Sequence, residues 1–173
     1  MNNEQPNPGR VTAYTDGACR GNQHDNAPGG YGVVLLNGRS RKELAQGYAD
    51  TTNNRMELRA AIAALKALKR PCVVDLYTDS KYVCDAFNQN WIEGWIDRGW
   101  KNASKKPVKN RDLWEELLPL VERHDVTFRW VKGHSDNREN NRADALATAA
   151  ADFTFAHLAD DGPTAVTVSR PAR

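Results

Sequence analysis

The sequence predicts an α/β domain built on a five-stranded mixed sheet with helices on both faces. Two observations carry this prediction. Several short segments rich in β-branched and aromatic residues end at turn residues, which is typical of strands. Between them, longer segments repeat leucine and isoleucine at helical spacing. At 173 residues, 40% of them hydrophobic and 27% charged, the chain has the size and composition of one well-cored domain.

Strands dominate the first half of the chain. Four are predicted, over residues 11–15, 30–36, 41–49 and 73–78. The first stops at Asp16-Gly17, which is a turn signal. The second and third are joined by Asn37-Gly38, and this pair is a strong hairpin signal between two such segments. Over residues 54–69, apolar residues recur at helical spacing on an alanine-rich background, so a helix precedes the fourth strand.

The second half of the chain alternates helices with one more strand. A short helix should follow Ser80, a tryptophan-rich helical segment comes next, and another helix should begin near Asp112. Pro119 lies inside that helix, where its ring opposes the carbonyl four residues back, so we expect a kink or an early end. Residues 126–131 form the fifth predicted strand, and a last helix should run to about Phe153.

We expect one domain over residues 10–153, between a disordered N-terminus over 1–9 and a flexible C-terminal tail over 154–173. The N-terminus is polar and lacks the basic and apolar regions of a signal peptide. No apolar segment reaches the length of a membrane span. The three cysteines lack metal-type spacing, which indicates free thiols in a reducing compartment. We therefore expect a cytoplasmic protein.

Four carboxylates stand at predicted strand ends or helix edges: Asp16, Glu57, Asp79 and Asp144. Asp16 follows the first strand and Asp79 the fourth, so the two would meet at one rim if those strands are neighbours. Carboxylates gathered in one cleft would repel by about 4 kcal/mol per pair at about 4 Å and an effective dielectric constant of about 20. A hard divalent cation such as Mg²⁺, which prefers oxygen ligands, would relieve that repulsion.

Each carboxylate also has an ordinary structural interpretation. Asp16 could be a turn former, and Glu57 could be the glutamate of a capping box that Asn54 opens. Asp79 could belong to a helix cap, and Asp144 could be an acid on the surface of an amphipathic helix. These interpretations do not explain why all four contexts occur in this order along the chain.

Residues 91–111 form a basic, tryptophan-rich segment, although the net charge of the whole chain is only +2. Its cations and tryptophans are Arg98, Lys101, Lys105, Lys106, Lys109, Arg111, Trp91, Trp95 and Trp100. Cations that reach phosphates, set among aromatic rings that pack on sugars or bases, are typical of a nucleic-acid interface. The alternative is a solvated basic loop whose tryptophans anchor it to the core.

Several motifs occur together in one order along the chain. They are Tyr14-Thr15-Asp16-Gly17-Ala18-Cys19, Thr52-Asn53-Asn54-Arg55-Met56-Glu57-Leu58, Tyr77-Thr78-Asp79-Ser80, and Val131-Lys132-Gly133-His134 followed by Asn141-Arg142-Ala143-Asp144. With these motifs, residues 11–151 closely resemble the bacterial ribonuclease HI family. The resemblance implies an RNase H-like fold and an endonuclease that hydrolyses the RNA strand of RNA/DNA hybrids. It also implies 5′-phosphate and 3′-hydroxyl products and a monomer.

The same resemblance implies roles for the acids and for one histidine. Two Mg²⁺ ions would bind with the substrate, and Mn²⁺ could replace them. Asp16 would bridge the ions, Glu57 and Asp79 would hold the ion nearer the leaving group, and Asp144 would help to hold the ion that activates water. His134 resembles a mobile histidine that assists proton transfer or product release. Its alternative is an exposed loop histidine without a role.

Substrate contacts implied by the resemblance divide between the two strands of a hybrid. The residues expected on the RNA side are Cys19, Asn22, Asn53 and Asn54. Those expected to grip the DNA strand are Thr52, Arg55 and Asn110 around a phosphate, and Trp91 against a sugar. The other expected contacts are Lys81, Trp95, Trp100, Lys101, Lys105, Lys106 and Lys109. Such contacts read shape and sugar type, so base sequence should matter little.

Two departures from the family pattern affect the expected binding of substrate. Lys81 stands where relatives often have glutamine, and it could exchange a groove hydrogen bond for a phosphate contact. Glu93, Ile96 and Asp97 interrupt the cations of the basic segment, so hybrid binding should be weaker and should be lost at a lower salt concentration. Two other functions stay open: a hybrid-binding module without catalysis, and an integrase-like or transposase-like nuclease of the same fold.

Overall fold

The computed structural model describes residues 9–21, 27–161 and 167–171. Its strands are β1 Arg10–Cys19, β2 Ala27–Asn37, β3 Ser40–Thr51, β4 Val73–Thr78, β5 Asp125–Trp130 and β6 Thr167–Pro171. Its helices are α1 Asn53–Lys66, α2 Lys81–Asn88, α3 Trp91–Asp97, α4 Arg111–Arg123 and α5 Arg138–Asp161. Among these described helices, none combines the length and the apolar character that crossing a membrane requires.

The strands form one mixed sheet in the order β5-β4-β1-β2-β3-β6. β1, β4 and β5 run parallel to one another, whereas the pairs β1–β2, β2–β3 and β3–β6 are antiparallel. The predicted α/β class with a mixed sheet is confirmed. β6 adds a sixth strand to the five predicted ones.

Helices cover both faces of this sheet. The odd-numbered residues Tyr31, Val33 and Leu35 of β2 are buried in one apolar cluster with residues of α1. The even-numbered Gly30 and Gly32 face α5, since a Cβ atom at either position would overlap atoms of that helix. Successive side chains of a strand point to opposite faces. α1 and α5 therefore lie on opposite faces, as the predicted fold class requires.

β1 continues through the turn predicted at Asp16-Gly17. Asp16 pairs with Gly32 of β2, and the pairing extends to Cys19. The predicted turn is wrong because Gly17 permits close packing: a Cβ atom there would lie 2.6 Å from the backbone nitrogen of Glu57 in α1. A glycine inside a strand often marks such a close backbone approach.

Two local predictions about element ends have different outcomes. Asn37 pairs with Ser40 and Gly38 has a φ of 56°, so the predicted β2–β3 hairpin is confirmed. The early end predicted for α4 is wrong, because the helix continues past Pro119 to Arg123. α4 buries an apolar face against the core, and such packing outweighs one missing backbone hydrogen bond.

The C-terminal part of the chain differs most from its prediction. α5 runs to Asp161 instead of ending near Phe153, because neither glycine nor proline interrupts the chain before Gly162. β6 then pairs antiparallel with β3. The expected flexible tail over 154–173 thus contains the end of a helix and an edge strand. Of the expected disordered N-terminus, residues 1–8 lie outside the described part of the chain.

His124, which follows α4, is a buried histidine that joins two elements. Its Nδ1 atom accepts a hydrogen bond from the backbone nitrogen of Cys72 at 3.0 Å. A proton on Nδ1 would therefore face another donor. Burial lowers the pKa of His124, and the charge of Arg123 lowers it further. The folded protein consequently favours the neutral ring.

We expect His124 to make the folded state sensitive to acid. Below the ordinary histidine pKa of about 6.5, His124 of the unfolded chain is protonated while the buried ring of the folded protein stays neutral. The free energy of unfolding therefore decreases as the pH falls. His124→Asn keeps an acceptor but does not titrate. Between about pH 8 and about pH 5, urea unfolding should show wild type losing stability relative to this variant by at most about 1.4 kcal/mol per pH unit. A difference that does not depend on pH would contradict this role.

Candidate active site

β1 and β4 bring two of the predicted acids to one edge of the sheet. These strands are parallel neighbours and pair Thr15 with Thr78, so the next residues, Asp16 and Asp79, lie side by side. Glu57 of α1 joins them, and one carboxylate oxygen of each of the three residues lies within 4.8 Å of the others. We call these three residues the acidic cluster.

Two members of the acidic cluster are buried. Asp16 is 3% exposed and Glu57 is 5% exposed. The Oε1 atom of Glu57 accepts a hydrogen bond from the backbone nitrogen of Gly17 at 3.1 Å. Its Oε2 atom is also buried, and no hydrogen-bond partner for it lies among the described residues. Because a buried carboxylate oxygen without a partner is costly, this atom favours a bound cation or a proton.

The structure removes two ordinary interpretations of these acids. Thr52 is the N-cap of α1, where its side chain accepts a hydrogen bond from the backbone nitrogen of Arg55. Glu57 is therefore not the glutamate of a capping box. Ser80 is the N-cap of α2 and likewise accepts from a backbone nitrogen in its own helix. Asp79 is thus free of a capping role.

Burial and mutual repulsion favour the protonated forms of the acidic cluster. Burial raises the pKa of Asp16, and the charge of Glu57 raises it further. Burial also raises the pKa of Glu57, to which the charge of Asp79 adds, and burial likewise raises the pKa of Asp79. A divalent cation would reverse this effect, because opposite charge nearby favours the ionised carboxylate. Three close oxygen donors, one without a partner, fit a hard cation such as Mg²⁺.

Asp16→Asn should stabilise the protein when no divalent ion is present. The amide removes one charge from the cluster, and we expect a gain of about 2 kcal/mol in the free energy of unfolding. This is less than the roughly 4 kcal/mol of a fully ionised pair because protonation already relieves part of the repulsion. Urea unfolding in chelator measures the effect. The exposed Asp125 at the start of β5 supplies the control Asp125→Asn, which should not gain stability. An Asp16→Asn variant no more stable than wild type would contradict the expected repulsion.

Asp144 and His134 lie on the open side of the acidic cluster. Asp144, on α5, lines the same cleft, and its hydrogen-bonding contact with Asp16 adds to the raised pKa of Asp16. The Nδ1 atom of His134 lies 4.0 Å from Oδ2 of Asp144, and the histidine side chain is 86% exposed. His134 has a φ of 53°. Such a conformation is uncommon for residues other than glycine and recurs at functional sites.

α5 positions Asp144 through a close approach to β2. A Cβ atom at Gly32 would overlap the backbone oxygen of Ala143, the residue before Asp144, and one at Gly30 would lie 2.7 Å from Cβ of Ala150. The missing side chains let the helix backbone lie directly on the strand. Because Asp16 pairs with Gly32, the same contact sets the distance between Asp144 and the acidic cluster.

The cleft has a volume of about 420 Å³ and contains several of the predicted substrate residues. Asn53, Asn54 and Lys81 line it together with all four acids and His134. Cys19 lies at the end of β1, with its Sγ atom 3.6 Å from the backbone oxygens of Ala27 and Thr51. Asn22 lies outside the described residues.

The residues of the predicted phosphate pocket are also brought together. The Nη1 atom of Arg55 donates to Oδ1 of Asn110 at 3.3 Å, and the backbone nitrogen of Arg55 donates to Oγ1 of Thr52 at 3.3 Å. Two further members of the pocket were not predicted. Asp112 accepts two hydrogen bonds from Arg55, at 3.0 and 2.8 Å. Tyr82, which lines the cleft, accepts one from Asn110 at 3.1 Å.

No residue of the basic segment lines the cleft, and its residues fit both interpretations, since some anchor the segment to the core and others are exposed. Trp95 packs against the buried Trp114 with ring centroids 5.3 Å apart, and Trp100 lies under the guanidinium of Arg111. These two tryptophans anchor the segment. Trp91 is exposed instead. The exposed lysines are Lys101, Lys105, Lys106 and Lys109. Exposed cations beside an exposed ring leave this surface open to a phosphate backbone.

Comparison with known proteins gives one consistent result. The family model described as RNase H matches residues 8–152. Ribonuclease H of Erythrobacter litoralis is 58% identical over 144 residues, which cover 83% of this chain and 97% of that protein. Ribonuclease H of Lachnoclostridium phytofermentans is 55% identical over 157 residues, which cover 88% of this chain and 97% of that protein.

Solved structures agree with these relatives. LC9-RNase H1, described as a type 1 RNase H with the type 2 active-site motif, superposes with a TM-score of 0.76 at 35% identity. The match covers 84% of this chain and 74% of that one. LC11-RNase H1 in complex with an RNA/DNA hybrid gives a TM-score of 0.60 at 22% identity, covering 84% of this chain and 99% of that one. At that identity the second likeness supports the fold alone.

Proposed function

Because the chain belongs to the ribonuclease H family of hydrolases, we propose that it hydrolyses the RNA strand of RNA/DNA hybrids with Mg²⁺. The proposed products carry 5′-phosphate and 3′-hydroxyl ends. The observation that carries the proposal is the acidic cluster, in which three carboxylates meet at a sheet edge and one buried oxygen of Glu57 has no described partner. This donor set suits phosphodiester hydrolysis, because such chemistry needs positive charge held beside the reacting oxygens.

Asp16, Glu57 and Asp79 would hold Mg²⁺, with Asp144 completing the site for a second ion and Mn²⁺ able to replace either. When bound, the ions supply a Lewis acid that stabilises the attacking and leaving oxygens. Asp16 would bind both ions, since its carboxylate lies beside those of Glu57 and Asp79 and lines the same cleft as Asp144. The chain would therefore contribute oxygen ligands from β1, α1, the end of β4 and α5.

His134 is the proposed group for moving a proton. Its imidazole is exposed, and Nδ1 faces the carboxylate of Asp144 at 4.0 Å. This distance is too long for a hydrogen bond, but a water molecule or a substrate oxygen that lies to one side of the pair could hydrogen-bond to both groups. An imidazole in that place can accept a proton at the reacting oxygen or return one to a product.

Substrate recognition is proposed to use both sides of the cleft. Thr52, Arg55 and Asn110 would grip a phosphate of the DNA strand, and Trp91 would pack against a sugar of that strand. The residues proposed for the RNA side are Cys19, Asn22, Asn53 and Asn54. Asp112 holds the guanidinium of Arg55 through two hydrogen bonds, which orients its remaining donors for the phosphate. Contacts of this kind favour a hybrid duplex without selecting its bases.

The basic segment is the proposed electrostatic footprint on the hybrid, through Lys101, Lys105, Lys106 and Lys109 and the rings of Trp95 and Trp100. We further propose that the chain acts as a monomer in the cytoplasm, as one domain that extends beyond the predicted boundary at residue 153 because α5 runs to Asp161 and β6 joins the sheet. The three cysteines are free thiols in the structure, which supports a reducing compartment.

Replacing Lys105 and Lys106 with alanine should weaken hybrid binding and flatten its dependence on salt. Each lysine that neutralises a phosphate contributes about 0.9 to the slope of log affinity against log salt, so the slope should fall by about 1.8. Fluorescence anisotropy with a labelled hybrid at several salt concentrations measures it. A matched control replaces Lys42 and Lys69 with alanine. Both are exposed lysines beside a cavity that shares no lining residue with the cleft of the acidic cluster. An unchanged slope would mean that the basic segment does not contact the backbone.

One cleavage assay tests the proposed function. Labelled RNA/DNA hybrid, DNA duplex and RNA duplex are incubated with the protein in Mg²⁺ or in chelator. We expect Mg²⁺-dependent cleavage of the RNA strand of the hybrid alone. Cleavage of DNA duplex would favour an integrase-like or transposase-like nuclease. Binding without cleavage would favour a hybrid-binding module, and either result would overturn the proposal.

A further inference from the structure

Lys81 lies among acids without pairing with them. It lines the cleft that contains the acidic cluster, yet it forms no ion pair with a carboxylate anywhere in the described ranges. Its ammonium nitrogen lies over the indole of Trp130 instead, 4.9 Å from the ring centroid. A cation is attracted to the face of an aromatic ring, most strongly to tryptophan. Trp130 therefore competes with the acids for this side chain.

Trp130 is itself fixed in place for that contact. It is the last residue of β5 and pairs with Thr78, the residue before Asp79. Its Nε1 atom also donates a hydrogen bond to the backbone oxygen of Asp79 at 3.0 Å. The residue is 47% exposed and does not line the cleft. Trp130 thus acts on the cleft through its neighbours Asp79 and Lys81.

A lysine released from this contact would affect metal binding. The Lys81 side chain is long and flexible and starts at the first residue of α2, beside the acidic cluster. Without the ring, attraction to several carboxylates in a partly buried site would draw the ammonium inward. There it would neutralise the same oxygens that a divalent cation needs. Held outward, it leaves those oxygens free and adds positive charge where phosphates approach.

We propose that Trp130 is a positioning residue that holds the Lys81 ammonium at the rim of the cleft, away from the acidic cluster and toward the nucleic-acid backbone. The part of this role that concerns nucleic acid rests on the proposed function. The part that concerns the metal can be measured on the protein alone, with Mg²⁺ as the probe.

Isothermal titration of Mg²⁺ into the free protein tests the role with a double-mutant cycle. Trp130→Leu releases Lys81, and we expect Mg²⁺ binding to weaken by about two- to fivefold, the range that an exposed cation–ring contact supports. Lys81→Met removes the charge but keeps most of the side chain. In the Trp130→Leu background it should restore wild-type Mg²⁺ affinity, and alone it should leave that affinity unchanged.

Trp130→Phe separates the two contacts of the indole. Phenylalanine keeps a ring face for Lys81 but cannot donate to the backbone of Asp79, so Mg²⁺ binding should stay near that of wild type. The inference is overturned if the Trp130→Phe protein binds Mg²⁺ as weakly as the Trp130→Leu protein does. It is also overturned if Lys81→Met fails to restore Mg²⁺ binding in the Trp130→Leu background. Either result would assign the effect to the Asp79 hydrogen bond. Wild-type affinity in Trp130→Leu would overturn it as well.

A matched control and a second readout complete the experiment. Phe155 on α5 is an exposed ring under the guanidinium of Arg20, with 5.8 Å from the centroid to Cζ, so Phe155→Leu removes a similar contact elsewhere. This variant should bind Mg²⁺ like wild type. For the nucleic-acid part, Lys81→Met should lower the salt slope of hybrid binding by about one. An unchanged slope would overturn that part. A protein with the expected Mg²⁺ coupling but no cleavage of hybrid would instead contradict the proposed function alone.

Discussion

Replacing Asp16 with asparagine is expected to lower turnover of an RNA/DNA hybrid by about a thousandfold or more, while the dissociation constant of the hybrid changes by less than about threefold. The carboxylate of Asp16 lies beside those of Glu57 and Asp79, and the amide removes its charge from this proposed ligand set. Ions beside the attacking and leaving oxygens contribute several kcal/mol, and about 4 kcal/mol corresponds to a thousandfold in rate. Groove and phosphate contacts lie on other residues and should be retained.

Single-turnover cleavage at saturating Mg²⁺ measures the rate, and anisotropy in chelator measures binding. Asp125→Asn makes the same change at an exposed acid at the start of β5. This variant should have the cleavage rate and the hybrid dissociation constant of wild type. If Asp16→Asn cleaved the hybrid at the wild-type rate, the acid would not be a metal ligand. If binding fell in parallel with turnover, the acid would be a substrate contact instead.

Gly32→Ala is expected to lower the free energy of unfolding by about 3 kcal/mol and turnover by about a hundredfold. Its methyl group would overlap the backbone oxygen of Ala143, so α5 must move away from β2. Backbone atoms cannot swing aside as a side chain can, and Asp144 moves with the helix. Displacement of a catalytic group by about 1 Å costs about a hundredfold in rate.

Urea unfolding and single-turnover cleavage test both parts of this expectation. Gly94→Ala is the matched control, because a methyl group there would meet only the flexible side chain of Arg98, at 3.1 Å. That variant should be as stable as wild type or slightly more so, since alanine suits a helix better than glycine. A Gly32→Ala protein with full stability and turnover would show that α5 does not need its close approach.

The strands and the helix that carry the acidic cluster could be predicted from short, contiguous stretches of the sequence. The predicted first and fourth strands are each followed by an acid, so the meeting of the two acids at one edge needs only that the strands be neighbours, as β1 and β4 are. The helical spacing of α1 likewise predicts an element that carries Glu57. The periodicity of apolar residues reflects which face of a strand or helix is buried, so elements predicted from it are also found in the folded chain.

Features that depend on distant partners could not be read from the sequence. A glycine such as Gly17 is equally compatible with a turn and with a strand that a helix approaches closely. Only the packing of α1 against β1 distinguishes the two cases. β6 is a short segment whose pairing with β3 joins residues far apart in the chain. The contact of Lys81 with Trp130 also joins two elements through tertiary structure alone.

The start of α1 joins two parts of the proposed mechanism. Thr52 caps this helix, and Arg55 and Glu57 lie in its first turns. Thr52 and Arg55 belong to the proposed phosphate pocket, whereas Glu57 belongs to the acidic cluster. Successive residues of an α-helix rise by a fixed distance of about 1.5 Å, so a single rigid element would separate the proposed phosphate contact on one strand from the proposed cleavage site on the other. In the proposed mechanism, α1 would therefore set the offset across the groove between the bound phosphate and the bond that is cleaved.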